Sequence, residues 1–144
     1  MNDSRVDINK ANNRGWTPFS IACFEGQIEI IQLLLKDERI DISKANGYSE
    51  TPLHIASYKG YTELLENLLS SGKDVNLTAK DFDEKTAIDV ARGRIDEERD
   101  EDMETEEQYQ KRIRNYPKII ELLESFERNP NETRMRLRKQ LEYD

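Results

Sequence analysis

The sequence predicts an all-α solenoid of stacked helix-turn-helix units, with hairpin-like fingers between them and an extra C-terminal helix. Three observations predict it. Gly15-Trp16-Thr17-Pro18-Phe19-Ser20-Ile21-Ala22 returns as Glu50-Thr51-Pro52-Leu53-His54-Ile55-Ala56 about 34 residues later, and each copy is followed by a glycine, Gly26 or Gly60, and an Ile/Leu-rich run. Arg5-Val6-Asp7-Ile8-Asn9-Lys10-Ala11-Asn12 returns almost residue for residue as Arg39-Ile40-Asp41-Ile42-Ser43-Lys44-Ala45-Asn46. The composition, 35% hydrophobic against 36% charged, is a thin core for a 144-residue globule, whereas stacked units need only one apolar face per neighbour.

Residues 1–11 read as the tail of a preceding or truncated repeat whose helices are absent. The first full unit, 12–45, opens with the turn residues Asn12-Asn13-Arg14. Thr17 then caps a short helix whose first position is Pro18, where no N–H is missed. Gly26 supplies the left-handed residue that ends it, and Ile28, Ile31, Leu34 and Leu35 stripe a second helix at three- to four-residue spacing. The second unit, 46–80, repeats this with Asn46-Gly47-Tyr48-Ser49, Thr51, Pro52, Gly60 and Leu64, Leu65, Leu68 and Leu69.

The third unit, 81–127, begins at Lys85-Thr86-Ala87-Ile88-Asp89-Val90-Ala91 and is degenerate. Ala87 replaces the proline, Arg92 replaces Cys23 and Ser57, and Glu124 replaces Leu35 and Leu69, which suits a terminal cap with a polar outer face. Between its helices lies an acidic insertion of about 20 residues, roughly 95–115. Its core, Asp96 to Glu104, has almost nothing to bury and reads as a solvated loop, in part disordered. Thr105-Glu106-Glu107-Gln108 reads as a capping box opening a short extra helix to about Arg114, before Pro117 starts the next. Asn129-Pro130-Asn131-Glu132 starts the basic helix of 128–144, with Met135 and Leu141 as candidates for the outer face of the cap and, as the alternative to a solvated acidic loop, Arg134, Arg136, Arg138 and Lys139 lying against that loop.

A period near 33 carrying Thr-Pro-Leu-His-x-Ala resembles the ankyrin repeat, and the resemblance covers about four fifths of the chain. It implies a concave surface of finger tips and first helices that binds partner proteins. Carried over position by position, that surface comprises Asn13, Arg14, Trp16, Phe24 and Glu25 in the first unit, Tyr48, Glu50, Tyr58 and Lys59 in the second, and Phe82, Asp83, Lys85 and Arg94 in the third. Five aromatic rings on one face exceed what solubility favours and suit binding hot spots, while the opposing expectation is that some pack on neighbouring repeats. The resemblance also gives His54 a structural role, bonded to local backbone or hydroxyl groups. The stretch Leu68–Asn76 is similar to those in which ankyrin asparagines are hydroxylated, although a bond from Asn76 across its own turn is the stronger reading of that residue.

Other functions find little in the sequence. A net charge of −8 repels phosphate backbones and anionic headgroups, so neither nucleic acid nor membrane is an expected partner. No apolar run reaches the roughly 18 residues of a membrane helix. Cys23 is the single cysteine, reads as inert core, and has no base beside it for catalysis. A lone His and a lone Cys give no metal site, no cofactor is implied, and the acidic run lacks the residue grammar of a calcium loop. Met1-Asn2-Asp3-Ser4 is not the start of a secretory leader, so an intracellular setting is expected, the cytoplasm first and the nucleus second, and the sequons at Asn76 and Asn131 read as chance.

The expected function is therefore a non-catalytic protein-binding module, with Arg14, Glu50, Lys59 and Asp83 setting selectivity. The rival readings are a structural cap of a larger scaffold without its own partner, and a regulatory domain of an enzyme. The open N-terminal repeat face is a candidate for self-association.

Overall fold

Thr17, Thr51 and Thr86 open three helices by the same chemistry. Each hydroxyl accepts the backbone N–H three residues on, from Ser20, His54 and Asp89, and each of those side chains reaches back to the threonine N–H. Such reciprocal caps satisfy two orphan donors and are worth about 1 kcal/mol apiece. The computed structural model describes residues 6–143, and within them seven helices and no strand. Residues Met1 to Arg5, the start of the expected N-terminal tail, and Asp144, the end of the basic segment, lie outside the described residues.

The helices pair as α1 (Pro18–Glu25) with α2 (Ile28–Leu35), α3 (Pro52–Lys59) with α4 (Thr62–Ser70), and α5 (Ala87–Ile95) with α6 (Glu106–Arg128). α1 packs on α3 and α3 on α5, making one layer; α2 packs on α4 and α4 on α6, making the other. Between the layers lies one core, in which Phe19, Cys23, Ile31, Leu53, Ala56, Leu64, Leu65, Leu68, Leu69, Ala91, Ile119 and Leu123 are at most 2% exposed.

The fingers repeat as closely as the caps. Asn12 Oδ1 accepts from the N–H groups of Arg14 and Trp16, Asn46 Oδ1 from Tyr48 and Glu50, and Asp81 Oδ1 from Asp83 and Lys85. Each finger needs a left-handed residue two positions before the capping threonine. Glycine stands there only in the first, at Gly15, while Ser49 and Glu84 adopt φ 61° in the others. Neighbouring fingers are tied through the backbone, Gly47 N–H to the Arg14 carbonyl at 3.0 Å and Phe82 N–H to the Tyr48 carbonyl at 3.3 Å.

His54 adds a link between units. Its Nε2 lies 2.8 Å from the Lys85 carbonyl, which can only accept, so Nε2 carries the proton and Nδ1 accepts the Thr51 N–H. Asn76 bonds across its own turn, accepting from the Thr78 N–H and hydroxyl. Cys23 is fully buried, and burial pushes its thiol far above the ordinary range.

Two expectations about the C-terminal third are corrected. The short helix ending near Arg114 does not exist as a separate element, because α6 runs unbroken from Glu106 to Arg128 through Pro117. Arg112, Tyr116, Ile119, Leu123 and Phe126 form one buried stripe at spacings of four, three, four and three, so both halves of the rod face the same neighbours. Pro117 itself is exposed, where the helical bond that it lacks is least costly. Tyr116 explains its position. The ring lies over the left-handed Gly60 as Tyr61 lies over Gly26, so Pro117 stands where a second helix would begin and the preceding helix has fused onto it.

The basic tail is the second correction. α7 (Pro130–Tyr143) folds back across α4 and α6, not against the acidic loop. Thr133 and Leu137 are its buried contacts, whereas Met135 is 69% exposed. Arg138 Nε donates to the Ser70 carbonyl at 2.8 Å and so closes the C-terminal end of α4, where orphan carbonyls favour a cation.

Because a proline inside a helix costs up to about 3 kcal/mol relative to alanine, Pro117→Ala should stabilise the protein by about 1–2 kcal/mol with no loss of helicity. Urea unfolding followed by circular dichroism measures this. An unchanged or lower midpoint would mean that two helices meet at residue 117.

Candidate functional site

The face built by the fingers and first helices carries most of the exposed rings. Phe24 closes α1 and Tyr58 closes α3; Tyr48 and Phe82 sit at successive finger tips. Trp16 is half-buried and meets Phe24 edge-on at 5.4 Å between centroids. Lys59 Nζ stands 4.0 Å over the Phe24 ring, joining the first unit to the second. The Arg94 guanidinium lies 4.9 Å over Tyr58, joining the second to the third. At the finger tips, Tyr48 and Phe82 pack edge-on at 6.4 Å. The sequence-selected rings thus form two groups, one along the helix ends and one along the finger tips.

The selected polar residues divide differently. Asn13, Arg14, Glu25, Asp83 and Lys85 are exposed, with Arg14 and Lys85 also lending backbone groups to the neighbouring unit. Glu50 is engaged within its own finger, accepting from Asn46 Nδ2 at 2.9 Å. Lys59 is committed to Phe24, and Arg94 is enclosed by Tyr58, Tyr116 and an ion pair with Glu97.

The acidic insertion contributes a wall that its composition did not reveal. Arg112 is 6% exposed and grips Glu104 with two parallel bonds of 2.9 Å, from Nε and Nη2. Its Nη1 reaches the carbonyls of Arg94 at 2.7 Å and Glu97 at 3.0 Å. One guanidinium therefore ties the last turn of α5, the loop after it and α6 together. Tyr116 Oη donates to the Tyr58 carbonyl and accepts from Arg94 Nε. The expected solvated loop is thus pinned at Glu97 and Glu104, and Arg99 adds a 3.4 Å pair with Glu106. Between this wall and the end of α3 lies a cavity of about 430 Å³, lined among others by Lys59, Arg94, Met103, Lys111 and Tyr116. Arg112 and Tyr116 escaped selection because Pro117 masked the helical stripe that they share with Ile119 and Leu123.

Among the described residues, no group of three or more His, Cys, Asp or Glu side chains could hold a metal ion, and no helix is long and apolar enough to cross a membrane. A family model described as ankyrin repeats, in three copies, matches residues 2–79. The match takes in the first two units and the segment before them, and stops ahead of α5, where the repeat pattern loses its proline and gains the insertion. A comparison with curated proteins finds no match.

The two bonds from Arg112 hold the Glu104 carboxyl below the ordinary glutamate value of 4.5. A group with a depressed folded-state pKa stabilises fully above its unfolded value and loses that contribution as pH falls through the folded one. Glu104→Gln should therefore lower the thermal midpoint at neutral pH, and the gap from wild type should close as acid protonates Glu104. Paired melting curves across that range check it; a gap that persists in acid would show that charge is not what Glu104 supplies.

Proposed function

Because the chain belongs to the ankyrin-repeat family, we propose that it is a non-catalytic module that binds a folded partner protein on the face of its fingers and first helices. Ankyrin repeats as a family mediate protein–protein interaction and are typically non-enzymatic. The observation that carries the reading to this face is that its rings are exposed yet held. Phe24 is 45%, Tyr48 60%, Tyr58 51% and Phe82 68% exposed, and each is fixed by a ring or cation neighbour on the same face. Large apolar side chains already immobilised lose little entropy on binding, which is what makes such residues effective anchors.

Selectivity on this reading comes from the charges not already engaged. Arg14, Asp83 and Glu25 are exposed around the rings, whereas Glu50 and Lys59 serve to shape the surface. Arg94 acts from behind, setting the Tyr58 ring and carrying the insertion wall. The wall extends the surface past the third unit, and its cavity gives a protruding side chain of the partner a place to seat.

With a partner isolated by affinity capture on the intact chain, Tyr58→Ala and Phe82→Ala should each weaken binding by about 2 kcal/mol, roughly 30-fold in Kd, by calorimetry. Glu121→Ala and Lys139→Ala, exposed on the second-helix side, should leave the affinity unchanged. Loss of binding on that side with retention in the ring variants would place the interface elsewhere.

A further inference from the structure

The first unit exposes apolar side chains on the flank that faces away from the second. Ile21 is 39%, Ile30 45% and Leu33 64% exposed, with Val6 at 48% beside them in sequence order ahead of the first finger. The second unit shows what such a flank is built for. Its equivalents of Ile21 and Ile30 are Ile55 and Leu64, 4% and 0% exposed where the first unit covers them. The equivalent of Leu33 is Asn67, 7% exposed, whose amide oxygen accepts a bond from Gln32 of the first unit. The flank of the first unit therefore repeats a packing surface that is used one unit further on.

We infer that this flank is a self-association surface, on which a second copy of the chain docks through the same flank about a two-fold axis. At the far end of the stack a charged pair is exposed: there Arg92 meets Glu124, with side chains 56% and 40% exposed. An apolar flank whose opposite end exposes such a pair closes by meeting itself, in the isologous manner of most homodimers.

Charge selects the orientation. Glu29 and Lys36 are both exposed and stand seven residues apart, two turns of one stripe alongside Leu33. When two copies of α2 lie antiparallel about a two-fold axis perpendicular to them, the same stripe of each comes together with its direction reversed. Glu29 then faces Lys36 of the second copy, and the reverse, while the two Leu33 side chains meet beside the axis. A parallel arrangement would set Glu29 against Glu29 and Lys36 against Lys36. The acid-to-base order along the stripe thus favours the antiparallel pair, with two ion pairs bracketing an apolar centre.

Sedimentation velocity on the full chain tests the proposal. A reversible dimer with Kd of about 1–100 µM is expected for a small apolar centre with rim charges. Leu33→Asp should weaken it at least about tenfold while leaving the circular dichroism spectrum and melting midpoint unchanged, because Leu33 contributes little to its own unit. Glu29→Lys should also weaken it, and Glu29→Lys combined with Lys36→Glu should restore it. A wild-type chain still monomeric at about 0.5 mM overturns the proposal. So does a dimer indifferent to Leu33→Asp, or one that the double charge exchange does not restore.

Discussion

No helical pair in this chain can cover its own apolar flanks, and the fold depends on neighbours covering them for one another. Helices of eight or nine residues are too short to persist alone in water. The caps and fingers set where each helix begins and ends, but the free energy comes from Leu64, Leu65, Leu68, Leu69 and their counterparts, none of them more than 1% exposed in the second unit. The middle unit is accordingly the best buried: every residue from Thr51 to Ser57 is buried, whereas the matching helix of the first unit leaves Ile21 uncovered. A structure assembled this way has its difficulties at its ends.

The C-terminal end meets the difficulty by elaboration. The third unit has fewer apolar residues to offer, and the insertion compensates by fusing a helix onto its second one and so doubling the length of the rod that packs on α4 and α5. Arg112 is the cost and the fastener of that solution. A buried guanidinium is expensive unless its donors are met, and here the Glu104 carboxylate and the carbonyls of Arg94 and Glu97 take four of the five N–H groups. Two of those partners, Glu97 and Glu104, lie in the segment that otherwise has nothing to bury. The acidic run is therefore organised around Arg112, with Glu97 also paired to Arg94 and Glu101 standing 4.0 Å from Arg99.

The repeated parts of the fold were legible in the sequence because their signals are local and occur twice. Thr17-Pro18 with Gly26, and Thr51-Pro52 with Gly60, mark caps and breaks whose chemistry depends only on residues within one turn. The C-terminal third was less legible because its determinants are single and distant. Pro117 carries a strong local signal for a helix start, and the tertiary stripe from Arg112 to Phe126 overrides it. The docking of α7 rests on Thr133, Leu137 and the reach of Arg138 to Ser70, a contact across 68 positions that composition could not suggest. Of the candidate surface, the rings could be read from repeat register. Which charges were already engaged could not, since Lys59 over Phe24 and Glu50 on Asn46 appear only when units and finger arms are set side by side.

The ringed face and the uncovered flank of the first unit are independent in chemistry but related in geometry. In the first unit the uncovered flank of Ile21, Ile30 and Leu33 lies to one side of the line that runs from α1 to α2. A two-fold axis that sets α2 antiparallel to its copy runs along that line, from the first-helix layer to the second. Rotation about such an axis keeps the first-helix layers of both copies on the same side, so the ring-bearing faces adjoin instead of opposing each other. Two copies then present one surface of twice the span, with Trp16 and Phe24 nearest the centre and an insertion wall at each end. A partner with two-fold symmetry of its own would engage both halves at once and gain effective concentration without any new kind of contact. Association at the uncovered end and recognition on the ringed face are in this arrangement successive consequences of one cause, the stacking of units that cannot stand alone.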